Sequence, residues 1–176
     1  QYDSATYSHS FAQTCKQLIK KRPNYATWDD HDYGPNNADK NYEKKEVTLS
    51  LFQQFWGNAF YGTKDTKGVF SNFTYQDAEF FLLDNRYHKS ALGEENGSTL
   101  GEEQLEWFKN ALLESKATFK LVMSGLQFLN EKGGGEGFKE FPKERQEILD
   151  FIANHDIKGV IWVSGDRHVS ELYCLK

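Results

Sequence analysis

The apolar positions of the chain follow two periods, one typical of strands and one typical of helices. Residues 69–75 alternate apolar and polar side chains, and residues 78–83 form a nearly continuous apolar run. Two polar residues separate these runs, so the pattern predicts a β-hairpin whose second strand is buried on both faces. Residues 117–123, 159–163 and 169–174 are predicted to form further strands, and the segment 159–163 is apolar enough to be buried.

Helical spacing recurs between the predicted strands. In residues 43–56 the apolar side chains form a broad stripe that we expect to face the core: Val47, Leu51, Phe52, Phe55 and Trp56. Two later segments repeat this spacing with further predicted core residues: Leu105, Phe108 and Leu112, then Ile148, Phe151 and Ile152. Thr99 and Glu102 match a capping box before the first segment, and Pro142 suits the first turn of the second. Another helix is predicted at residues 11–19, and a flexible surface loop at the glycines of residues 133–135.

Strands that alternate with helices predict an α/β fold, and the length predicts one domain over residues 1–176. The formal net charge of −5 argues against a general nucleic-acid binder, which needs a basic surface. No apolar run approaches membrane-spanning length, and the pattern defines no oligomeric state. Cys15 and Cys174 leave open whether they form a disulfide or stay as two thiols. The chain begins with Gln1 rather than Met, so we expect a processed or partial product.

Charged residues gather where predicted strands end. A short strand predicted at residues 25–28 runs into D-D-H-D at residues 29–32, and the strand at 159–163 runs into S-G-D-R-H at residues 164–168. Ligand sites in layered α/β folds form at the carboxyl ends of strands, so we expect these loops to converge. Their carboxylate and imidazole groups suit divalent or ferric ions. Taken alone, the D-D-H-D run is equally compatible with a turn.

Arg86 belongs to a third polar run, which follows the strand predicted at residues 78–83. Two interpretations of this side chain stay open. Its guanidinium can clamp a phosphate oxygen through two parallel hydrogen bonds. It can equally form a buried salt bridge to Asp84 or to the acidic run at residues 29–32.

Several motifs occur together in a fixed order from about Tyr25 to Leu172: A-T-W-D-D-H-D-Y-G-P-N-N, F-W-G-N, F-F-L-L-D-N-R-Y-H, L-G-E-E-Q-L-E-W-F-K and S-G-D-R-H-V-S-E-L. They resemble the PhoD-like alkaline phosphatase family, a branch of the metallo-dependent phosphatases. The resemblance implies two β-sheets packed face to face, helices outside them and metals at one rim. It also implies a secreted or extracytoplasmic enzyme that hydrolyses phosphate monoesters or diesters with iron and calcium as cofactors.

The resemblance also implies roles for individual residues. Three residues match metal-ligand positions: Asp30, Asp166 and His168. His31 is implied to contact the phosphoryl group and to protonate the leaving oxygen, while Asp32 orients it. Asn85 and Arg86 are implied to line the pocket of the phosphate-ester substrate.

One departure limits the resemblance. The first ligand blocks of the superfamily, an Asp-x-His or Asp-x-Cys and a later Gly-Asp, have no match in residues 1–24. We therefore expect the carboxyl-side portion of such an enzyme, incomplete in its first sheet and last strands, and a poor catalyst alone. Two alternatives stay open: a non-catalytic fragment that keeps the fold, and a structural domain that holds calcium at residues 29–32.

Overall fold

The computed structural model describes residues 13, 17, 20–131 and 136–175. The helices in this part of the chain are α1 (Asp30–Tyr33), α2 (Lys45–Phe55), α3 (Glu102–Glu114) and α4 (Pro142–Asn154), with a 3₁₀ turn at Phe138–Glu140. The strands are β1 (Ser71–Tyr75), β2 (Ala78–Leu82), β3 (Phe119–Ser124) and β4 (Val160–Ser164). This order of elements confirms the predicted α/β class.

The four strands form one mixed sheet in the order β1-β2-β3-β4. β1 and β2 make the predicted antiparallel hairpin, in which Tyr75 lies opposite Ala78 and Gln76 adopts a positive φ of 55° in the tight turn. β2, β3 and β4 run parallel, since α3 and α4 cross over between them. The three parallel strands therefore end at the same edge of the sheet.

The larger core lies between one face of this sheet and helices α3 and α4. Phe81, Val122 and Trp162 stand side by side on adjacent strands, and the Phe108 ring of α3 packs edge-on against Phe81 and Trp162. Four of the core residues predicted for these helices are buried: Leu105, Phe108, Leu112 and Ile148. The other two, Phe151 and Ile152, are only half-buried because they lie in the last turn of α4.

The opposite face of the sheet is also apolar. Because side chains alternate along a strand, this face carries residues from all four strands: Phe73, Phe80, Leu121, Met123, Ile161 and Val163. Ile161 and Val163 are 44% and 45% exposed, so β4 is not the buried strand that its sequence predicts. The second sheet that the resemblance implies does not occur among the described residues, which form a single sheet of four strands.

A smaller core surrounds Trp28, which packs against Phe52 of α2 with ring centroids 5.2 Å apart. The predicted helix is confirmed, but the prediction that its whole apolar stripe faces the core is wrong. Three residues of that stripe are more than half exposed: Val47, Leu51 and Phe55. The face of the helix that is buried is narrower than the predicted stripe and consists of Leu49 and Phe52. These two residues belong to the same apolar cluster as Trp28.

Three local predictions are wrong. Residues 25–28 form no strand, because Ala26 exchanges backbone hydrogen bonds with the side-chain amide of Asn58 instead of a neighbouring strand. Thr99 does not cap α3: its amide and hydroxyl both donate to the buried carboxylate of Glu144, at 2.8 and 2.7 Å. Residues 169–174 are exposed irregular chain, since no strand in the described part pairs with them.

Some predictions concern parts of the chain outside the described residues. They include the helix at residues 11–19, of which only Gln13 and Gln17 are described, and the glycine loop at residues 133–135. Cys15 lies outside as well, so both alternatives for Cys15 and the exposed Cys174, a disulfide or two thiols, stay open. Of the helices that are described, none combines the length and the hydropathy needed to cross a membrane.

Candidate functional site

Three carboxylates meet at the edge where the parallel strands end. Asp29, Asp30 and Asp166 each place one ligand oxygen within 4.8 Å of those of the other two. Asp29 directly precedes α1, Asp30 begins that helix, and Asp166 follows β4. The structure therefore brings together Asp30 and Asp166, two of the predicted metal ligands, and adds Asp29 to them.

Asp30 is held in place by the backbone around it. Its Oδ1 accepts a hydrogen bond from the His31 amide and its Oδ2 accepts one from the Asn37 amide, both at 2.8 Å. Burial works to raise the pKa of Asp30, but these two bonds together with the charge of Arg86 outweigh it and leave the pKa below its usual value. Asp30 is therefore an oriented anion at neutral pH.

Asp29 is in a less favourable electrostatic position. Burial raises the pKa of Asp29, and although Arg86 opposes this, the pKa stays above its usual value. The negative charges of Asp30 and Asp166 contribute to the increase. Carboxylates this close repel one another, so a cation bound among them would lower the electrostatic energy of the cluster.

Arg86 contacts Asp29 from the protein interior. Its Nε lies 2.8 Å from Asp29 Oδ1, and its Nη2 contacts the same oxygen. The Arg86 side chain is only 1% exposed, and its Nη1 lies 2.6 Å from Glu136 Oε2. Of the two interpretations left open by the sequence, the structure shows the salt bridge to the acidic run. Both contacts with Asp29 reach Oδ1, so Arg86 does not occupy Oδ2.

Asn85, the other residue predicted to line the substrate pocket, is fully buried. Its Oδ1 accepts a hydrogen bond from Ser124 Oγ at 2.6 Å, and its Nδ2 donates to Thr99 Oγ1 at 3.4 Å. These bonds join the loop after β2 to the end of β3 and to the segment before α3. The substrate-binding role of Asn85 and Arg86 stays a prediction.

His31, Asp32 and His168 lie around the cluster rather than in it. His31 and Asp32 belong to α1 and are exposed, and the Asp32 carboxylate accepts a hydrogen bond from the Asp29 amide at 3.3 Å. His168 is exposed, with a positive φ of 54°, and its ring nitrogens are not in the group of three ligand atoms. Its role as a metal ligand and the catalytic roles of His31 and Asp32 stay predictions.

Gly125 lets the end of β3 approach the cluster. A Cβ atom at this position would lie 2.7 Å from Asp29 Oδ1 and 2.8 Å from Asp29 Cγ. No real Cβ makes such contacts, so a side chain here would displace the carboxylate from Arg86. The glycine thus allows the loop after β3 to pack directly on Asp29.

Gly125→Ala is expected to lower the free energy of unfolding by roughly 1–3 kcal/mol, the usual cost of overpacking a well-filled site. Urea unfolding measures the change. Gly57→Ala is the matched control, because a Cβ there meets nothing within 4 Å, and it should change stability little. Equal unfolding free energies for the two variants would contradict the close approach of β3 to Asp29.

Sequence reasoning missed several residues of this arrangement. Asp29 stands in the same acidic run as Asp30, so the run itself was a signal that a third carboxylate was available. Glu136 and Gly125 had no local signal, because their importance comes only from contacts with Arg86 and Asp29 across the fold.

The donor atoms of the cluster fit a hard cation. Calcium and similar ions bind carboxylate oxygens, and three such oxygens lie close together here. The hydrogen bonds to Asp30 and the Arg86 contact with Asp29 orient two of the three carboxylates. The described residues can therefore contribute part of a metal coordination shell.

Comparisons with known proteins agree with this architecture. A family model described as PhoD-like phosphatase matches residues 2–175. Alkaline phosphatase D of Bacillus subtilis (strain 168) is 22% identical over 182 residues, which cover 84% of this chain and 31% of the relative. A solved structure of PhoD matches with a TM-score of 0.64 at 21% identity, covering 81% of this chain and 34% of that one. The chain thus spans about a third of the length of these proteins, and the structural match supports the fold.

Proposed function

Because the chain belongs to the PhoD-like phosphatase family, we propose that it forms part of a metal-dependent phosphoesterase that acts on phosphate monoesters or diesters. The observation that carries this proposal is the meeting of Asp29, Asp30 and Asp166 at the edge of the sheet where the parallel strands end. Ligand sites of α/β sheets form at this edge. An extracytoplasmic location is also proposed, on the family resemblance alone.

In this proposal Asp29, Asp30 and Asp166 bind the metal, and His168 is the further ligand that the resemblance implies. When bound, the cation supplies Lewis-acid stabilisation of the phosphoryl charge and lowers the pKa of the attacking water. Iron and calcium are the proposed metals. The carboxylate oxygens of Asp29, Asp30 and Asp166 suit calcium, whereas the imidazole that His168 would add suits iron.

His31 is the proposed general acid that gives a proton to the leaving oxygen. Its position supports this role, since it follows Asp30 directly and its imidazole is open to solvent and to a substrate. Asp32 is proposed to orient the imidazole. Arg86 is proposed to act chiefly through its salt bridge with Asp29, because its guanidinium is buried between two carboxylates. Asn85 is proposed to hold the loop that carries Arg86, through its hydrogen bond with Ser124 at the end of β3.

Asp166→Asn is expected to weaken calcium binding by at least about tenfold, because even the loss of a residue behind a metal ligand costs that much. Asn keeps the size of the side chain and tolerates the positive φ of 71° at this position, so the fold should be unaffected. Isothermal titration calorimetry measures the affinity. Asp77→Asn, in the exposed hairpin turn, is the matched control and should bind calcium like the parent.

Hydrolysis of a phosphate monoester and a phosphate diester, before and after treatment with a chelator, tests the activity. In a protein that contains this chain together with the remaining part of a PhoD-like enzyme, the proposal predicts metal-dependent hydrolysis that Asp166→Asn reduces and Asp77→Asn does not. Calcium binding that raises the melting temperature of that protein without any hydrolysis would favour the structural calcium domain. Hydrolysis that persists in the chelated protein would contradict the metal mechanism.

A further inference from the structure

Buried charges of alternating sign form a chain behind the carboxylate cluster: Lys89, Glu136, Arg86 and Asp29. Lys89 Nζ lies 2.6 Å from Glu136 Oε1, and Arg86 Nη1 lies 2.6 Å from Glu136 Oε2. The side chains of Lys89 and Arg86 are 1% exposed and that of Glu136 is 4% exposed. Among the described residues, Lys89 and Glu136 contact the cluster only through Arg86, so any effect these two residues have on the site passes through Arg86 and Asp29.

Burying such a group of charges costs solvation energy, and apolar residues of similar volume often stabilise a fold as well or better. The geometry suggests what the charges do instead. Glu136 engages Nη1 of the guanidinium, which leaves Nε and Nη2 to contact Asp29 at one oxygen. Lys89 places its positive charge beside the second oxygen of Glu136. With Asp29 included, two cations and two anions sum to zero, so Lys89, Glu136 and Arg86 together add one positive charge, which offsets the negative charge of Asp29.

We propose that Glu136 and Lys89 are positioning residues for the cation site, acting through Arg86 on Asp29. This inference rests on the proposed metal function. Glu136 fixes the orientation of the guanidinium, and Lys89 sets the net charge of the buried group. Asp29 is thereby held through Oδ1 while one of its oxygens stays within 4.8 Å of the ligand oxygens of Asp30 and Asp166.

The two residues carry opposite charges, so their neutral variants should shift cation affinity in opposite directions. Glu136→Gln leaves the Arg86 and Lys89 charges uncompensated next to the cluster, and calcium affinity should fall about 10- to 100-fold. Lys89→Met leaves an excess negative charge there, and calcium affinity should rise on the order of tenfold by Coulomb attraction. The double variant Lys89→Met/Glu136→Gln restores the net charge of the parent, and the amide oxygen that Glu136→Gln introduces can still accept a hydrogen bond from Arg86 Nη1, so it should bind calcium within a few-fold of the parent.

Calcium is titrated calorimetrically into the parent protein and each variant, and thermal unfolding without metal is recorded in parallel. Glu147→Gln is the matched control: it removes the same charge from the exposed ion pair between Lys109 and Glu147, whose nitrogen and oxygen lie 2.9 Å apart, and should leave calcium affinity unchanged. If a single variant does not fold, the neutral double variant and the charge-keeping Lys89→Arg provide the comparison. Both should then bind calcium close to the parent.

A purely structural role would lower the melting temperature of both single variants without moving their affinities in opposite directions. That result, or parent-like affinity in both, overturns the positioning role and leaves the metal site itself intact. A folded double variant or Lys89→Arg that binds calcium far more weakly than the parent overturns it as well. A parent protein that binds no calcium overturns the proposed calcium site, and the positioning role with it.

Discussion

Phe108→Ala is expected to lower the free energy of unfolding by roughly 3–5 kcal/mol, the usual cost of truncating a buried aromatic residue. Phe108 is completely buried between α3 and the sheet. Its ring centroid lies 5.7 Å from that of Phe81 and 5.9 Å from that of Trp162. Truncation removes both ring contacts and leaves a cavity, because the helix and the strands around it cannot collapse into the space.

Chemical denaturation followed by circular dichroism measures this loss. Leu113→Ala is the matched control, since Leu113 lies on the same helix and is 47% exposed. Surface substitutions usually change stability by no more than about 0.5 kcal/mol. If Phe108→Ala and Leu113→Ala unfolded at the same denaturant concentration, the burial of Phe108 in a core between α3 and the sheet would be contradicted.

His31→Ala is expected to lower turnover about a hundredfold or more in a preparation that hydrolyses phosphate esters, the usual contribution of a positioned acid–base group. The melting temperature should change little, because the His31 side chain is exposed and belongs to neither core. The loss should depend on the leaving group. An alkoxide must be protonated as it departs, whereas nitrophenolate needs no proton, so nitrophenyl phosphate should suffer less.

Turnover of an alkyl phosphate and of nitrophenyl phosphate is compared in the parent and in His31→Ala. The control is His155→Ala, which removes an exposed histidine beyond the end of α4 and should leave both rates unchanged. An equal loss for both substrates would contradict the proton-donor role and would point to binding or positioning instead. Parent-like rates for both substrates would remove His31 from the mechanism.

Local pattern in the sequence was sufficient for most elements of the fold. The hairpin at β1 and β2, the strands β3 and β4 and the helices α2, α3 and α4 were all predicted from apolar periodicity and turn residues. Such signals work because a residue and its neighbours three or four positions away share one helix face, while alternate residues share one strand face. The acidic runs and their order along the chain also led to the phosphatase family, which the family match supports.

Local pattern failed where a partner from another part of the chain decided the outcome. Helix α2 buries a different face from the predicted one, because Phe52 packs against Trp28, which comes from another part of the chain. Thr99 bonds Glu144 instead of capping α3, because α4 brings that carboxylate to it. Neither partner is visible in the periodicity of the segment concerned.

The candidate site divides in the same way. The sequence by itself was enough to single out the candidate residues, since Asp30, His31 and Asp166 stand in runs whose composition and position at predicted strand ends are readable without coordinates. Only the tertiary structure decided that Asp29 lies beside Asp30 and Asp166. It also decided that Arg86, 57 residues further along the chain, forms a salt bridge with Asp29. Ion pairs of this kind depend on which loops the sheet brings to one edge, and that is a property of packing rather than of local sequence.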